Sequence, residues 1–272
     1  MSFLSDLTTV THAGDGVYRA DADRRAAIPG NRLNGGYLLE LGTRALQDAC
    51  GNPHPVSVTG HFLNSASAGE VTIATEVLRR GRHTTGRATL ANDAGDVVLA
   101  VTGTFGDLDN PPGDSKQLAE PPPLPDVDAC FEWPVDGRPD DPDREPDVMG
   151  MFRHRLDKAS FGWARGNPSG QPLVQAWARP ASGDWDPLDL MTLVDVYPPP
   201  IFSTGIDFTW VPTLELTVQL RGLPEGDEWL ACRFETRQLT GGYLEEDGEV
   251  RTADGRLIAI SRQLALIPRS RG

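Results

Sequence analysis

One plan runs through this sequence twice, and it limits the possible folds more than any other feature. Each time, extended segments lead to a helix with little polar surface and then to an antiparallel meander ending in its longest hairpin. In the first half, Asn34 can cap a helix in which Leu38, Leu41, Ala45, Leu46 and Ala49 follow helical spacing, and Gly51 and Pro53 end it. Residues 16–28 precede it as an extended segment with a turn. Strands are expected at 56–64 and 69–79, then at 84–92 and 96–105 around Asp93-Ala94-Gly95. In the second half, strands at 151–157 and 172–180 lead to a helix at 186–197. Strands at 214–220, 228–237, 243–252 and 256–267 follow, the last two joined at Ala253-Asp254-Gly255. Val98-Leu99-Ala100-Val101 stands where Ile258-Ala259-Ile260-Ser261 stands later, so an internal duplication accounts for the pattern. One helix per half, clasped by an antiparallel sheet, is an α+β architecture.

This divides the chain into an N-terminal unit at 1–105, a proline- and aspartate-rich linker at 106–147 and a C-terminal unit at 148–272. Pro111-Pro112, Pro121-Pro122-Pro123 and Asp140-Asp141-Pro142-Asp143 mark the linker. It is long for a structureless connection, so Cys130-Phe131-Glu132-Trp133 is expected to pack onto a domain.

The second helix carries the most informative polar residue. Asp186 can cap it, Pro187 suits its first position, and Pro198-Pro199-Pro200 stops it. Leu188, Leu190, Met191, Leu193, Val194 and Val196 surround its axis, which leaves Asp195 inside an apolar run in the last turn. Burial and the helix dipole both disfavour a charge there, which raises the pKa and suits a general base. The alternative is an aspartate that meets solvent before the prolines.

Composition removes several classes of function. At 272 residues with net charge −14, the chain is a poor partner for nucleic acid or an anionic membrane. No apolar run is long enough to span a bilayer, and the N-terminus lacks the basic start and apolar core of a signal peptide. Cys50, Cys130 and Cys232 are odd in number and far apart, so reduced thiols in a cytoplasm are expected. There is no Gly-x-Ser-x-Gly elbow, P-loop or dinucleotide fingerprint, and the five histidines have no zinc spacing.

Several stretches, in this order, carry a resemblance to a known family. They are Asn34-Gly35-Gly36-Tyr37, Gly60-His61-Phe62-Leu63 and Val77-Leu78-Arg79-Arg80-Gly81-Arg82 in the first half. In the second half they are Asp195 in its helix, Pro212-Thr213-Leu214 with Glu228-Trp229-Leu230, and Ile260-Ser261-Arg262-Gln263. Over about residues 33–266 the chain resembles the double-hotdog acyl-CoA thioesterases of the thioesterase II type and the actinobacterial thioesterase-like proteins near them. The resemblance implies a tandem hotdog fold and hydrolysis of an acyl thioester. Coenzyme A enters as part of the substrate, with no metal or organic cofactor. It also implies that Asp195, Thr213 and Gln263 hold and activate the water, while the Gly36 N–H, with Gly35, polarises the thioester carbonyl at a helix start. Asn34 and Tyr37, beside those glycines, are placed near substrate. Exposed sheet edges in such folds pair, so a homodimer or larger homo-oligomer is expected.

Aligning the halves sets Thr43 opposite Asp195, His61 opposite Thr213 and Gly103 opposite Gln263, which implies one site per chain. Alternation through 214–220 turns Thr213 away from the apolar face unless the strand begins irregularly after Pro212; Thr204, Asp207 and Thr209 are possible substitutes. Gln263 shares a face with the small residues Ala259, Ser261 and Ala265, which leaves room for a polar pocket. Arg79, Arg80, Arg82 and His83 form a basic cluster that suits coenzyme A phosphates or an ordinary charged hairpin end. His61 is either a second catalytic group or a packed strand histidine, and Tyr37 either lines an acyl tunnel or belongs to the core. A hotdog hydratase or dehydratase, with His61 near the aspartate, and a non-catalytic acyl-thioester binder are the alternative functions.

Overall fold

Asn34 starts the principal helix by accepting a hydrogen bond from Tyr37 N through its side chain (2.9 Å). In the computed structural model, which describes residues 2–28, 30–133, 148–206 and 211–267, that helix spans Gly35–Cys50. Gly51 closes it in the left-handed region, at φ 74°. The elements in chain order are α1 (Phe3–Leu7), β1 (Thr11–Gly14), β2 (Val17–Ala22), β3 (Ala27–Ile28), β4 (Arg32–Leu33) and α2 (Gly35–Cys50). Then come β5 (His54–Phe62), β6 (Gly69–Arg79), β7 (Thr84–Ala91), β8 (Val97–Gly106), β9 (Phe131–Trp133), β10 (Phe152–Leu156) and β11 (Leu173–Pro180). The last are α3 (Asp189–Leu193), β12 (Thr213–Leu220), β13 (Leu230–Glu235), β14 (Leu239–Thr240), β15 (Tyr243–Thr252) and β16 (Leu257–Leu266).

One antiparallel sheet runs β1-β2-β6-β7-β8-β5-β12-β16-β15-β13-β11-β10-β9, with β14 beside β15. Outward from its centre, β5-β8-β7-β6 on one side repeats β12-β16-β15-β13 on the other, so the duplication extends to strand order. The halves join where β5 pairs with β12, with Gly60 opposite Leu216 and Val58 opposite Val218; Thr59 and Thr217 share a hydroxyl–hydroxyl bond of 2.8 Å there. Gly60 lies over Leu39 of α2, where an added Cβ would stand 2.8 Å from a leucine methyl. α2 crosses β5–β8 and buries Leu38, Leu39, Leu41, Ala45 and Leu46 against them. Phe131–Trp133 forms an edge strand on β10, so this part of the linker packs as expected. The acidic run at 140–143 lies outside the described residues.

The second helix departs from the expectation. Only Asp189–Leu193 is helical, flanked by turns. Asp186 does act at its start, accepting from Leu188 N at 2.9 Å. Val194 to Tyr197 leave the helix before the prolines, and Asp195 lies in a turn beyond it, its N–H on Thr192 O at 3.1 Å. The residue before a proline is pushed toward extended backbone, and the apolar run had concealed this early exit.

α3 is tied to α2 by polar groups buried between them. Glu40, fully buried, accepts from Thr8 Oγ1 (2.8 Å) and Arg44 Nη2 (3.0 Å) on one oxygen and from Thr192 Oγ1 (2.6 Å) on the other. Arg44 continues to Asp186 (2.9 Å), and buried Asp189 accepts from Ser2 Oγ (2.9 Å) and Asp186 N (3.0 Å). Burial pushes the Glu40 and Asp189 carboxyls above the usual range. Arg44→Met, which strands the Glu40 charge, is expected to cost about 3–5 kcal/mol in urea unfolding at pH 8. The loss should be smaller at pH 5, where Glu40 can take up a proton; an equal loss at both pH values would contradict this account.

Candidate active site

The chain after α3 brings Asp195 against the first turn of α2. Its Oδ2 accepts from Gly36 N at 2.8 Å and from Asn34 Nδ2 at 3.0 Å, and Asn34 Nδ2 also reaches Asp195 O at 2.8 Å. Bonds from Asn34 and Gly36 converge on Oδ2, and Asp195 lines the adjoining cleft. A helix N-terminus, with its unpaired N–H groups, suits a carboxylate. Burial nevertheless dominates and pushes Asp195 up to about 6, with the bonds from Gly36, Asn34 and Gly35 pulling the other way. Of the two causes expected, burial and the α3 dipole, desolvation is the leading one, and Asp195 lies beyond the end of α3.

Asp195 faces a cleft of about 910 Å³. Opposite it, three polar side chains lie in a row across neighbouring strands: Thr213 on β12, Gln263 on β16 and Glu246 on β15. Gln263 Nε2 donates to Thr213 Oγ1 at 2.6 Å, while its buried Oε1 has no partner among the described residues. Thr213 joins the row because β12 does begin irregularly. Thr213 pairs with Ala265 but Glu215 pairs with Leu264, so the bulge at Leu214 turns Thr213 onto the cleft side. The remaining walls are largely apolar, including Leu38, Phe62, Trp133, Met149, Trp163, Phe202 and Val211, with Arg32 the one basic side chain among the described residues. Trp163 and Phe202 stack edge to face at 4.9 Å.

Asn34, Gly35, Asp195, Thr213 and Gln263, all marked in the sequence, meet at this cleft. Gly36 is beside it, but its N–H is bonded to Asp195, so it can reach a substrate carbonyl only by sharing that bond. Tyr37 belongs to the core instead of a tunnel: it is fully buried, donates to Leu7 O (2.8 Å) and accepts from Asp23 N (3.0 Å). His61 is exposed on β5 opposite Glu215 and does not line the cleft. Arg79, Arg80 and Arg82 are exposed around the β6–β7 hairpin, where Arg80 donates to the carbonyls of Ala49 and Cys50 (3.3 Å each). They therefore stand at the C-terminal end of α2, about 22 Å along its axis from the cleft. Thr204 donates to Ile201 O (2.7 Å) and does not line the cleft; Asp207 and Thr209 lie outside the described residues.

Glu246 was missed, although the sequence carries a signal for it. On β15 the inward residues are Leu244, Glu246, Gly248, Val250 and Thr252, so a glutamate occupies the apolar phase of a strand. Burial first, and the neighbouring Asp195 charge second, push its carboxyl well above the usual range.

Other potential ligand groups lie elsewhere. His54, Asp107 and Asp109 bring ligand-type atoms within 4.8 Å of one another at the opposite end of β5, where His54 Nδ1 already accepts from Leu108 N (3.1 Å). Cys50, Cys130 and Cys232 are free and buried. Among the described residues no helix is long and apolar enough to cross a membrane.

The fold is of the hotdog class. An Alicyclobacillus acidocaldarius protein described as having a hotdog fold superposes with TM-score 0.83 over 98% of each chain, at 20% identity. A Thermobifida fusca protein provisionally named a thioesterase II superposes with TM-score 0.85 at 29% identity, covering 99% of this chain and 98% of that one. In sequence, the chain is 27% identical over 256 residues to the uncharacterised Mycobacterium tuberculosis protein Rv0499, covering 88% of this chain and 87% of that protein. Residues 24–106 match the profile of the acyl-CoA thioesterase N-terminal domain, and residues 125–267 match that of the C-terminal domain. The chain belongs to the acyl-CoA thioesterase family.

Proposed function

We propose that this protein is a tandem double-hotdog hydrolase, with its halves bounded near residues 105 and 148, that cleaves an acyl thioester to an acid and a thiol. The observation that carries the reading is Asp195, whose carboxylate titrates near 6 and faces Thr213 and Gln263 across one cleft. An attacking water needs acceptors for its two protons and a lone pair free for the carbonyl carbon. Asp195 Oδ1 and the unpartnered Gln263 Oε1 are such acceptors, while the Thr213 hydroxyl, held by Gln263 Nε2, orients the water. Asp195 takes a proton as the C–O bond forms. The apolar and aromatic walls suit an acyl chain, and Arg32 is the basic side chain that the described residues bring to the cleft wall. Coenzyme A enters as substrate, and no step calls on a metal or organic cofactor. His61, needed by a hydratase, stands away from the cleft and weighs against that reaction.

The test is thiol release, followed with a chromogenic disulfide, across a panel of acyl-CoA substrates that differ in length and branching. Turnover of at least one supports hydrolysis; tight binding without turnover, or hydration of enoyl-CoA alone, would sink it. The pH dependence has a defined sign. Only ionised Asp195 can accept a proton, so kcat/KM should rise with pH through about 6 and level off above it. A rise centred near 4, the ordinary carboxylate range, would point to a solvated base.

A further inference from the structure

Glu246 is a cleft carboxyl that the water-activating set leaves unused. It is 7% exposed, stands directly across from Gln263 in the β15–β16 ladder and lines the same cleft as Asp195. Among the described residues it has no hydrogen-bond or ion-pair partner. A buried carboxylate without a cation is costly, whereas a neutral carboxylic acid is cheaper to bury and carries an O–H donor. The acceptor beside it, Gln263 Oε1, is itself buried and without a partner among the described residues, and a protonated Glu246 supplies a donor to this corner of the cleft. Packing does not call for glutamate here, since its inward neighbours on β15 are Leu244 and Gly248.

We propose that Glu246 is a further catalytic residue, the acid partner of Asp195, which enters the cycle protonated and delivers its proton to the sulfur of the departing thiol. The inference rests on the hydrolase reading above. Water loses one proton to Asp195 and its oxygen bonds to the carbonyl carbon. The C–S bond then breaks with its electron pair going to sulfur, which takes the Glu246 proton. The products are a carboxylic acid and a thiol, with Asp195 protonated and Glu246 ionised; transfer of one proton between them through cleft water restores the start. The two carboxyls have opposite roles because their surroundings differ. Asp195 has the α2 N-terminus and Asn34, whereas Glu246 has no donor among the described residues and faces the Asp195 charge. Among the described residues the other ionisable side chains of the cleft are Arg32 and Tyr197, and the Tyr197 hydroxyl is engaged by His154 at 3.0 Å.

An alkyl thiol such as that of coenzyme A leaves with difficulty as a bare thiolate, whereas a nitro-substituted thiophenol leaves without a proton. The test compares thioesters of the same acyl group on these two carriers. Glu246→Gln, close in shape, is expected to lower kcat for the coenzyme A ester about 100-fold and to change the aryl ester less than about threefold. Because Glu246 must stay protonated, the plateau of the wild-type coenzyme A profile should end in an alkaline fall, and that fall should disappear in the variant. Glu246→Asp, which keeps an acid, should restore most coenzyme A ester turnover, and retained aryl-ester activity reports a folded site. Equal losses on both esters, with a melting curve like that of the wild type and no recovery in Glu246→Asp, overturn the proposal alone. A wild-type protein inert toward both esters overturns the hydrolase reading and this role with it.

Discussion

Asp195→Asn is expected to lower kcat for thioester hydrolysis by about 10²–10⁴-fold, the range a positioned general base contributes. The fold should survive, because the amide oxygen can still accept from Gly36 N and Asn34 Nδ2. The variant should also melt higher than the wild type at pH 7.5. The folded-state pKa, about 6, lies above the ordinary aspartate value of 3.8, so the folded protein binds this proton more tightly than the unfolded chain. Stability attributable to this group is therefore fully present below the unfolded value and is lost as pH rises through about 6. Above that, the wild type holds a carboxylate it would be more stable without, and the neutral amide removes the cost. Steady-state thiol release and calorimetry at pH 5 and 7.5 read both effects, with the gain in melting temperature larger at the higher pH. Near wild-type turnover in the variant would remove Asp195 from the chemistry, and a large loss of melting temperature would mean that it serves the fold. Lost activity with gained stability is the pattern of a residue retained for function.

Much of this arrangement was legible because hairpin strands and helices leave periodic marks. The strands expected at 69–79 and 243–252 appear with those bounds, and the helix capped by Asn34 and ended at Gly51 forms as expected. An apolar run reads the same in a helix as in a buried turn, so the sequence predicts a second helix longer than the Asp189–Leu193 that forms. Periodicity shows which face of an element is apolar but not what lies opposite. Tyr37 beside two glycines could therefore be taken for a substrate contact, although its hydroxyl binds Leu7 and Asp23 in the core. The bulge at Leu214 decides the orientation of Thr213, and alternation alone cannot reveal a skipped residue. Glu246 was the reverse case: its place in the inward phase of β15 was visible, and only its proximity to Asp195 gave it meaning. The deciding contact, Gly36 to Asp195, joins residues 159 apart in the chain, so no local pattern contains it.

Gly36→Ala is expected to do more damage than any other small substitution at the site. A Cβ on Gly36 would lie 2.5 Å from Met191 O, 2.9 Å from Thr192 Cα and 2.9 Å from Asp195 Cβ. Two of those atoms are backbone of α3 and cannot rotate aside, so one methyl forces α3 away from α2. Parting them stretches the Glu40–Thr192 bond buried between the helices and withdraws the Gly36 N–H from Asp195. Overpacking of this kind costs about 3 kcal/mol, a drop of roughly 6–12 °C in melting temperature for a chain of this size. Hydrolysis should fall at least about 100-fold, because Asp195 would lose both its position and a bond that stabilises its ionised form. Gly35→Ala is the control. There the Cβ would meet the Phe62 ring at 2.9 Å and Asp195 Oδ2 at 3.0 Å, and a ring at a strand end can turn. That variant should lose well under half as much stability, measured by calorimetry on both proteins in the same buffer. Equal melting temperatures for the two would mean that α3 is free to shift, and that the close approach of its backbone to Gly36 does not set the position of Asp195.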